Sequence, residues 1–179
     1  MAELTSQRYE VKDMAEAIEF YYAKGWTDGL PVVPPTENSI WGMLESAGLE
    51  PEAEITFIEN RQVSVSAEKV AINTVMAGCK PEYMPIVVAA VEALGDPRFG
   101  YHGPATSTGG SAIFMVVNGP IARELHMNSG DNLFGPGWRA NATIGRALRL
   151  IVANVGGASA RTMSMSTMEI GRASCRERV

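Results

Sequence analysis

Residues 135–155 read Gly-Pro-Gly-Trp-Arg-Ala-Asn-Ala-Thr-Ile-Gly-Arg-Ala-Leu-Arg-Leu-Ile-Val-Ala-Asn-Val, and this stretch holds the strongest helical signal in the chain. Ala140, Ile144, Ala147, Leu148, Ile151 and Val155 recur at spacings of three and four, which places them on one face of a helix running from about Trp138 to Val155. Gly156-Gly157 ends it, and Gly135-Pro136-Gly137 forms the loop that enters it. A helix with one apolar stripe needs something to cover that stripe.

Working back towards the N-terminus, Ala112 to Val117 is a continuous apolar run and is expected to be a strand buried on both faces. A Gly/Pro/Ser/Thr-rich loop from Gly95 to Gly110 precedes it. Before that, Pro81 opens a helix whose segment Ile86 to Val91 is apolar all round, which predicts a buried central helix. Ser66 begins another, with Val70, Ala71, Val75 and Met76 inward and Gly78 at its end. Ile55–Ile58 and Val63–Val65 alternate around Glu59-Asn60-Arg61 and predict a hairpin. Thr36 caps a helix ending near Gly48, Leu30 to Pro35 is extended, and Asp13 caps a helix stopped by Gly25. The expectation is an α/β or α+β layered domain with short mixed strands and two hydrophobic helices. Strand order is not specified at this level.

The chain has 179 residues and a formal charge of −5, which argues against electrostatic capture of nucleic acid or an anionic membrane. No apolar run is long enough to span a bilayer, and the first dozen residues are polar and charged, so a cytoplasmic protein is expected. Glu169 to Val179 back-translates to a short-read sequencing adapter read in frame. Residues 169–179 are therefore expected to be a non-native tail with no reason to fold, and residues 1–168 a single α/β domain, the N-terminal part of a longer protein. The tail holds three arginines and two glutamates, so residues 1–168 carry −6. Without Cys175, Cys79 has no internal disulfide partner.

Three segments carry a family resemblance. Gly25-Trp-Thr-Asp-Gly-Leu-Pro-Val-Val-Pro-Pro-Thr-Glu37 is the first. Glu68-Lys-Val-Ala-Ile-Asn73 followed by Met76-Ala-Gly-Cys-Lys-Pro-Glu-Tyr83 is the second. Asn118-Gly-Pro-Ile121, Phe134-Gly-Pro-Gly137 and Arg139-Ala-Asn-Ala-Thr-Ile-Gly-Arg-Ala147 complete the third. Together they resemble a bacterial family associated with the redox proteins named for a UGSC selenocysteine motif. The resemblance covers about residue 15 to Met168. It implies a parent chain that continues past Thr167 into a Gly-His-Pro-Gly-Lys segment and an acidic stretch, and it implies identity more than mechanism.

Several residue types point to chemistry. Cys79 precedes the Pro81 helix, whose unpaired N–H groups and dipole, with Lys80, would favour a thiolate; the alternative is a small buried residue. Gly135 and Gly137 enter the helix that begins at Arg139, and Asn141, Thr143 and Arg146 follow. Arg139, Thr143 and Arg146 share one stripe, so the helix start reads either as an anion cradle or as a helix with salt-bridged arginines. Its glycine spacing matches neither a Walker loop nor a dinucleotide fingerprint. Thr106 to Ser111 is a candidate phosphate or carboxylate loop and, more simply, a connection. His102 is the better general acid–base candidate of the two histidines, His126 is expected to be exposed, and neither has a partner at metal-ligand spacing. Asp28 sits in a tight turn and is either catalytic or a cap for local N–H groups. Asn73, in an apolar helix, is expected to pin a neighbouring loop rather than face a ligand.

The catalytic candidates are thus Cys79, His102 and Asp28; the substrate-binding candidates are Gly135, Gly137, Arg139, Asn141, Thr143 and Arg146. No metal site is expected, and no cofactor is named by the residues. These lead to an enzyme fragment acting on a small anionic or carbonyl-bearing substrate. The alternative is a non-catalytic binding or assembly module of a larger protein, working as a homo-oligomer or with a partner domain. A thiol–disulfide exchanger would need a second native cysteine. A closed polar pocket joining Gly137, Cys79 and His102 would favour the enzyme, and an exposed hydrophobic patch the module.

Overall fold

Asp13 begins helix α1 (Met14–Ala23) by accepting from the Glu16 N–H at 2.9 Å. The structure, a computed structural model, describes residues 3–105, 112–157 and 174–178. Thr36 and Ser39 form a capping box at the start of α2 (Glu37–Ala47), and Gly48, at φ 64°, closes that helix in the left-handed conformation. Strands β1 (Glu54–Ile58) and β2 (Val63–Ser66) pair antiparallel around a single 3-10 turn at Glu59–Arg61, as the alternation predicts. Ser66 then caps α3 (Ala67–Met76). Pro81–Tyr83 forms a 3-10 turn that runs into α4 (Met84–Gly95). Short α5 (His102–Ala105), β3 (Phe114–Asn118) and α6 (Pro120–Glu124) lead to α7 (Arg139–Asn154), and β4 (Ser174–Arg178) pairs in parallel with β3.

The fold is mixed α+β. Helix α3 packs on α2, α4 and α7, and β1 lies along α4. Leu44, Val70, Val87 and Leu148, one from each of these four helices, are at most 1 % exposed. Each such side chain contributes about 1.5–3 kcal/mol through removal from water. The apolar stripe of α7 is buried at Ala140, Ile144, Ala147, Leu148 and Ile151. At the end of α4, a β-carbon on Gly95 would overlap the Thr56 hydroxyl, so glycine is what lets helix and hairpin approach.

Three expectations change. Helix α4 is one-sided rather than buried all round: Met84, Ile86, Val87, Val91 and Leu94 face the core, while Ala89 and Ala93 are exposed. Alanine is a good helix former that needs no cover, so an apolar run alone overstates burial. Strand β3 also has two unlike faces. Val117 is buried, but Phe114 and Val116 are 58 % and 42 % exposed, following the two-residue period of a strand. Finally, residues 174–178 form a strand where no structure is expected. The β3–β4 ladder is built from main-chain groups, which pair along an open strand edge without regard to side-chain identity. The Thr106–Ser111 loop lies outside the described residues.

Candidate functional site

The residues singled out from the sequence fall into two groups at opposite ends of α7. At its N-terminus, Arg139 donates from Nε and Nη2 to the Gly78 carbonyl at 3.0 and 2.8 Å. Gly78 adopts φ 86°, and its open side meets Thr143 and Val33. Two turns along the same face, Arg146 grips both carboxylate oxygens of Asp28, Nε at 2.9 Å from Oδ2 and Nη2 at 2.8 Å from Oδ1. Nη2 also donates to the Pro31 carbonyl at 2.8 Å. The stripe read from the spacing therefore exists, and it brings Arg139, Thr143 and Arg146 to Cys79 and Asp28. Its partners are the protein's own groups.

That occupancy changes the chemistry. Burial pushes the Cys79 thiol up to about 11, and the Thr143 hydrogen bond and the Arg139 and Arg146 charges only partly offset it. Of the two readings of Cys79, the enclosure fits the small buried residue, because desolvation outweighs the helix start and its neighbouring cations. For Asp28, burial again raises the pKa, but the Arg146 hydrogen bonds and charge, with main-chain donors at Asp28 and Leu30, hold the carboxyl below its ordinary range. Asp28 is an ionised partner with both oxygens engaged, a poor arrangement for a general base.

The remaining candidates divide similarly. Asn141 is buried, and its amide clasps the main chain of Asn128, accepting from N at 2.8 Å and donating to O at 2.9 Å. It fastens a loop. Gly135 donates to the Asn132 carbonyl at 2.8 Å, and Gly137 turns at φ 113° just before α7. Trp138 supplies no side-chain cap to that helix. His102 is exposed and lies elsewhere: its neighbour Tyr101 packs against Gly156, beyond the C-terminal end of α7. A helix of 16 residues spans about 24 Å, so His102 is not brought to Cys79. His126 is exposed, as expected. Among the described residues no group of three or more His, Cys, Asp or Glu could hold a metal ion.

A second region was not anticipated. A cavity of about 810 Å³ opens between the N-terminal strap (residues 4–9), the starts of α2 and β2, one face of α3 and the end of α7. Ile40, Ile72 and Met76 make its apolar wall, with Tyr9, Tyr21 and Trp26 as aromatic sides. Tyr9 meets Phe20 and Trp26 with ring centroids 5.0 and 5.6 Å apart, and Tyr21 meets Trp26 at 6.2 Å. Asn73 and Asn154 form an amide pair in the same wall. Asn154 donates to Asn73 Oδ1 at 2.8 Å and to the Trp26 carbonyl at 3.1 Å, so Asn73 does pin a loop through its partner.

The strap is tied down by Glu68, which is 2 % exposed and accepts from Thr5 N, Thr5 Oγ1 and Ser6 N at 3.1, 2.8 and 2.9 Å. Burial raises the Glu68 carboxyl, but these donors outweigh it and leave its pKa lowered. Lys69 Nζ donates to Ser6 Oγ at 2.9 Å, and Arg8 pairs with Glu37 at 2.9 Å. The signal for this region lay in α3: Glu68, Lys69, Ile72, Asn73 and Met76 fall on one helical face that mixes polar and apolar residues. Two of the segments quoted for the resemblance, residues 25–37 and 68–73, line the same space.

Comparison with known proteins found no matching family model, no matching curated protein and no matching solved structure. Among the described residues no helix is long and apolar enough to cross a membrane.

Proposed function

We propose that the chain is a binding module that holds a small molecule in the cavity beneath the N-terminal strap. The observation that carries this reading is the space itself: about 810 Å³, walled by three aromatic rings, an aliphatic face and a hydrogen-bonded amide pair. That size and mixture suit a small-molecule site. The non-catalytic reading is favoured over the thiol enzyme because Cys79 is buried and neutral, and because Asp28 and Arg146 neutralise each other. Phe134 and Trp138 stand 67 % and 43 % exposed, apolar surface of the kind a binding module presents.

The test is a thermal-shift screen of a small-molecule panel on the chain and on Ile72→Trp, which fills the cavity wall. Compounds that raise Tm for the unmodified chain and lose the effect in the variant support the reading. Equal shifts in both proteins, or none in either, would sink it.

A second reading keeps the enzyme, with a small anion at the start of α7. The uncapped N-terminus of that helix, next to Gly137 and Arg139, favours it. Arg139→Gln tests it: a loss of phosphate-induced stabilisation supports this reading, and an unchanged response removes it.

A further inference from the structure

The charged groups around the cavity are unequally engaged. Arg8, Glu37, Glu68 and Lys69 all line it. Arg8 and Glu37 form an ion pair at 2.9 Å, which leaves no net charge between them. Glu68 keeps its negative charge, but it is only 2 % exposed and its carboxylate accepts three hydrogen bonds from Thr5 and Ser6, so it presents little to a ligand. Lys69 differs from all three. Its ammonium donates to the neutral Ser6 hydroxyl at 2.9 Å, and no carboxylate of the described residues forms an ion pair with it. An ammonium has three donors, so at least two remain for a ligand.

The inner surface has the opposite character. Ile40 and Met76 are buried, Ile72 is half-buried, and the Asn73 amide is engaged on both its oxygen and its nitrogen. Nothing there compensates a charge, and an unpaired charge placed against that wall would be strongly disfavoured. Flat apolar groups are favoured instead, against the faces and edges of Trp26 and Tyr21. Lys69 is exposed, so the cation stands at the mouth and the apolar lining within.

We propose that the ligand is an aromatic carboxylate of one or two rings, with the ring against Trp26, Tyr21, Ile72 and Met76 and the carboxylate on the Lys69 ammonium. The proposal rests on the small-molecule reading of the cavity and adds the class and orientation of what it holds. Tyr21 contributes a neutral phenol hydroxyl, as a phenol does near neutral pH, and burial only raises its pKa further. Lys69 and Ile72, three residues apart on one face of α3, set the distance between the charged and flat ends of the ligand.

Isothermal titration with three probes of one shape tests this: 2-naphthoate, 2-naphthamide and 2-naphthylmethylammonium. Naphthoate should bind at least about tenfold more tightly than the amide, the difference expected of one charge-assisted contact, and the ammonium should bind weakest. Lys69→Gln, which retains a donor for Ser6, should remove the preference for naphthoate while leaving the amide unchanged. Lys69→Arg should restore it. If naphthoate and naphthamide bind equally, and Lys69→Gln changes neither, the carboxylate class is wrong while the cavity reading stands. If none of the three binds up to about 5 mM, the aromatic-carboxylate proposal falls, and the panel screen decides the cavity reading separately. Binding that survives Ile72→Trp overturns the location.

Discussion

The two ends of α7 offer opposite kinds of polar surface. Towards the N-terminal end, Arg139, Arg146 and Asp28 each have a protein partner. Arg146 holds Asp28 and the Pro31 carbonyl, Arg139 holds the Gly78 carbonyl, and Cys79 is sealed among them. At the C-terminal end, Asn154 joins Asn73 in the wall of a cavity that the chain does not fill. The first region has the residue types that attract attention in a sequence, yet they are spent on fastening the 28–31 segment and the 78–79 turn to one helix. The second is built from ordinary aromatic and aliphatic residues and has room for a ligand. Residue type alone does not tell which of these regions has bonding capacity left for a ligand.

Removing the clamp is the most severe way to break this contrast. Arg146→Met leaves Asp28 without its partner, and with side chains only 21 % and 18 % exposed, the loss should be about 3 kcal/mol. Urea denaturation measures it; an unchanged midpoint would mean the guanidinium was available to a ligand after all. Glu68→Ala comes next. It strands three donors of the strap, and about 2 kcal/mol should be lost, concentrated in residues 4–9. Hydrogen exchange should show that segment opening while α7 keeps its protection. Uniform loss across the chain would show that strap and core are one unit.

Cys79→Ala should cost less, about 1 kcal/mol, for a small buried group. In a Cys175→Ser background, Cys79 should also resist alkylation at pH 8 until the protein unfolds, because its thiol lies near 11 and is 7 % exposed. Rapid labelling of the native protein would return the thiol to the list of reactive groups. The smallest effect concerns pH. Asp28 and Glu68 have lowered pKa values in the folded state, so each contributes stability above the ordinary carboxylate range and loses it as pH falls through the depressed value. Tm should therefore fall on acidification below about pH 4, and Asp28→Asn and Glu68→Gln should each flatten that dependence. An unaltered slope in both variants would show that neither carboxylate is linked to folding.

Much of the local structure was legible in the chain. The caps at Asp13, Thr36 and Ser66, the hairpin at residues 54–66 and the long helix after Gly137 follow from nearest-neighbour chemistry. The Arg139–Thr143–Arg146 stripe was legible too, because helical spacing alone sets it. Its partners were not: Asp28 lies 118 residues from Arg146, and Gly78 lies 61 from Arg139. The cavity was less visible still, since the Thr5–Glu68 tie crosses 63 residues and the strap has no periodic pattern. Burial misled at β3 and α4, which are more exposed than their apolar runs suggest, while Cys79 is enclosed as the small-buried-residue reading has it.

The amino-acid order alone determined which segments coil or extend and which side chains share a face, because those properties depend on residues within about four positions of one another. Tertiary structure alone decided which polar groups were consumed and which were left over. A guanidinium, a carboxylate or a thiol takes its chemistry from whatever lies within a few ångströms, and those neighbours came from distant parts of the chain.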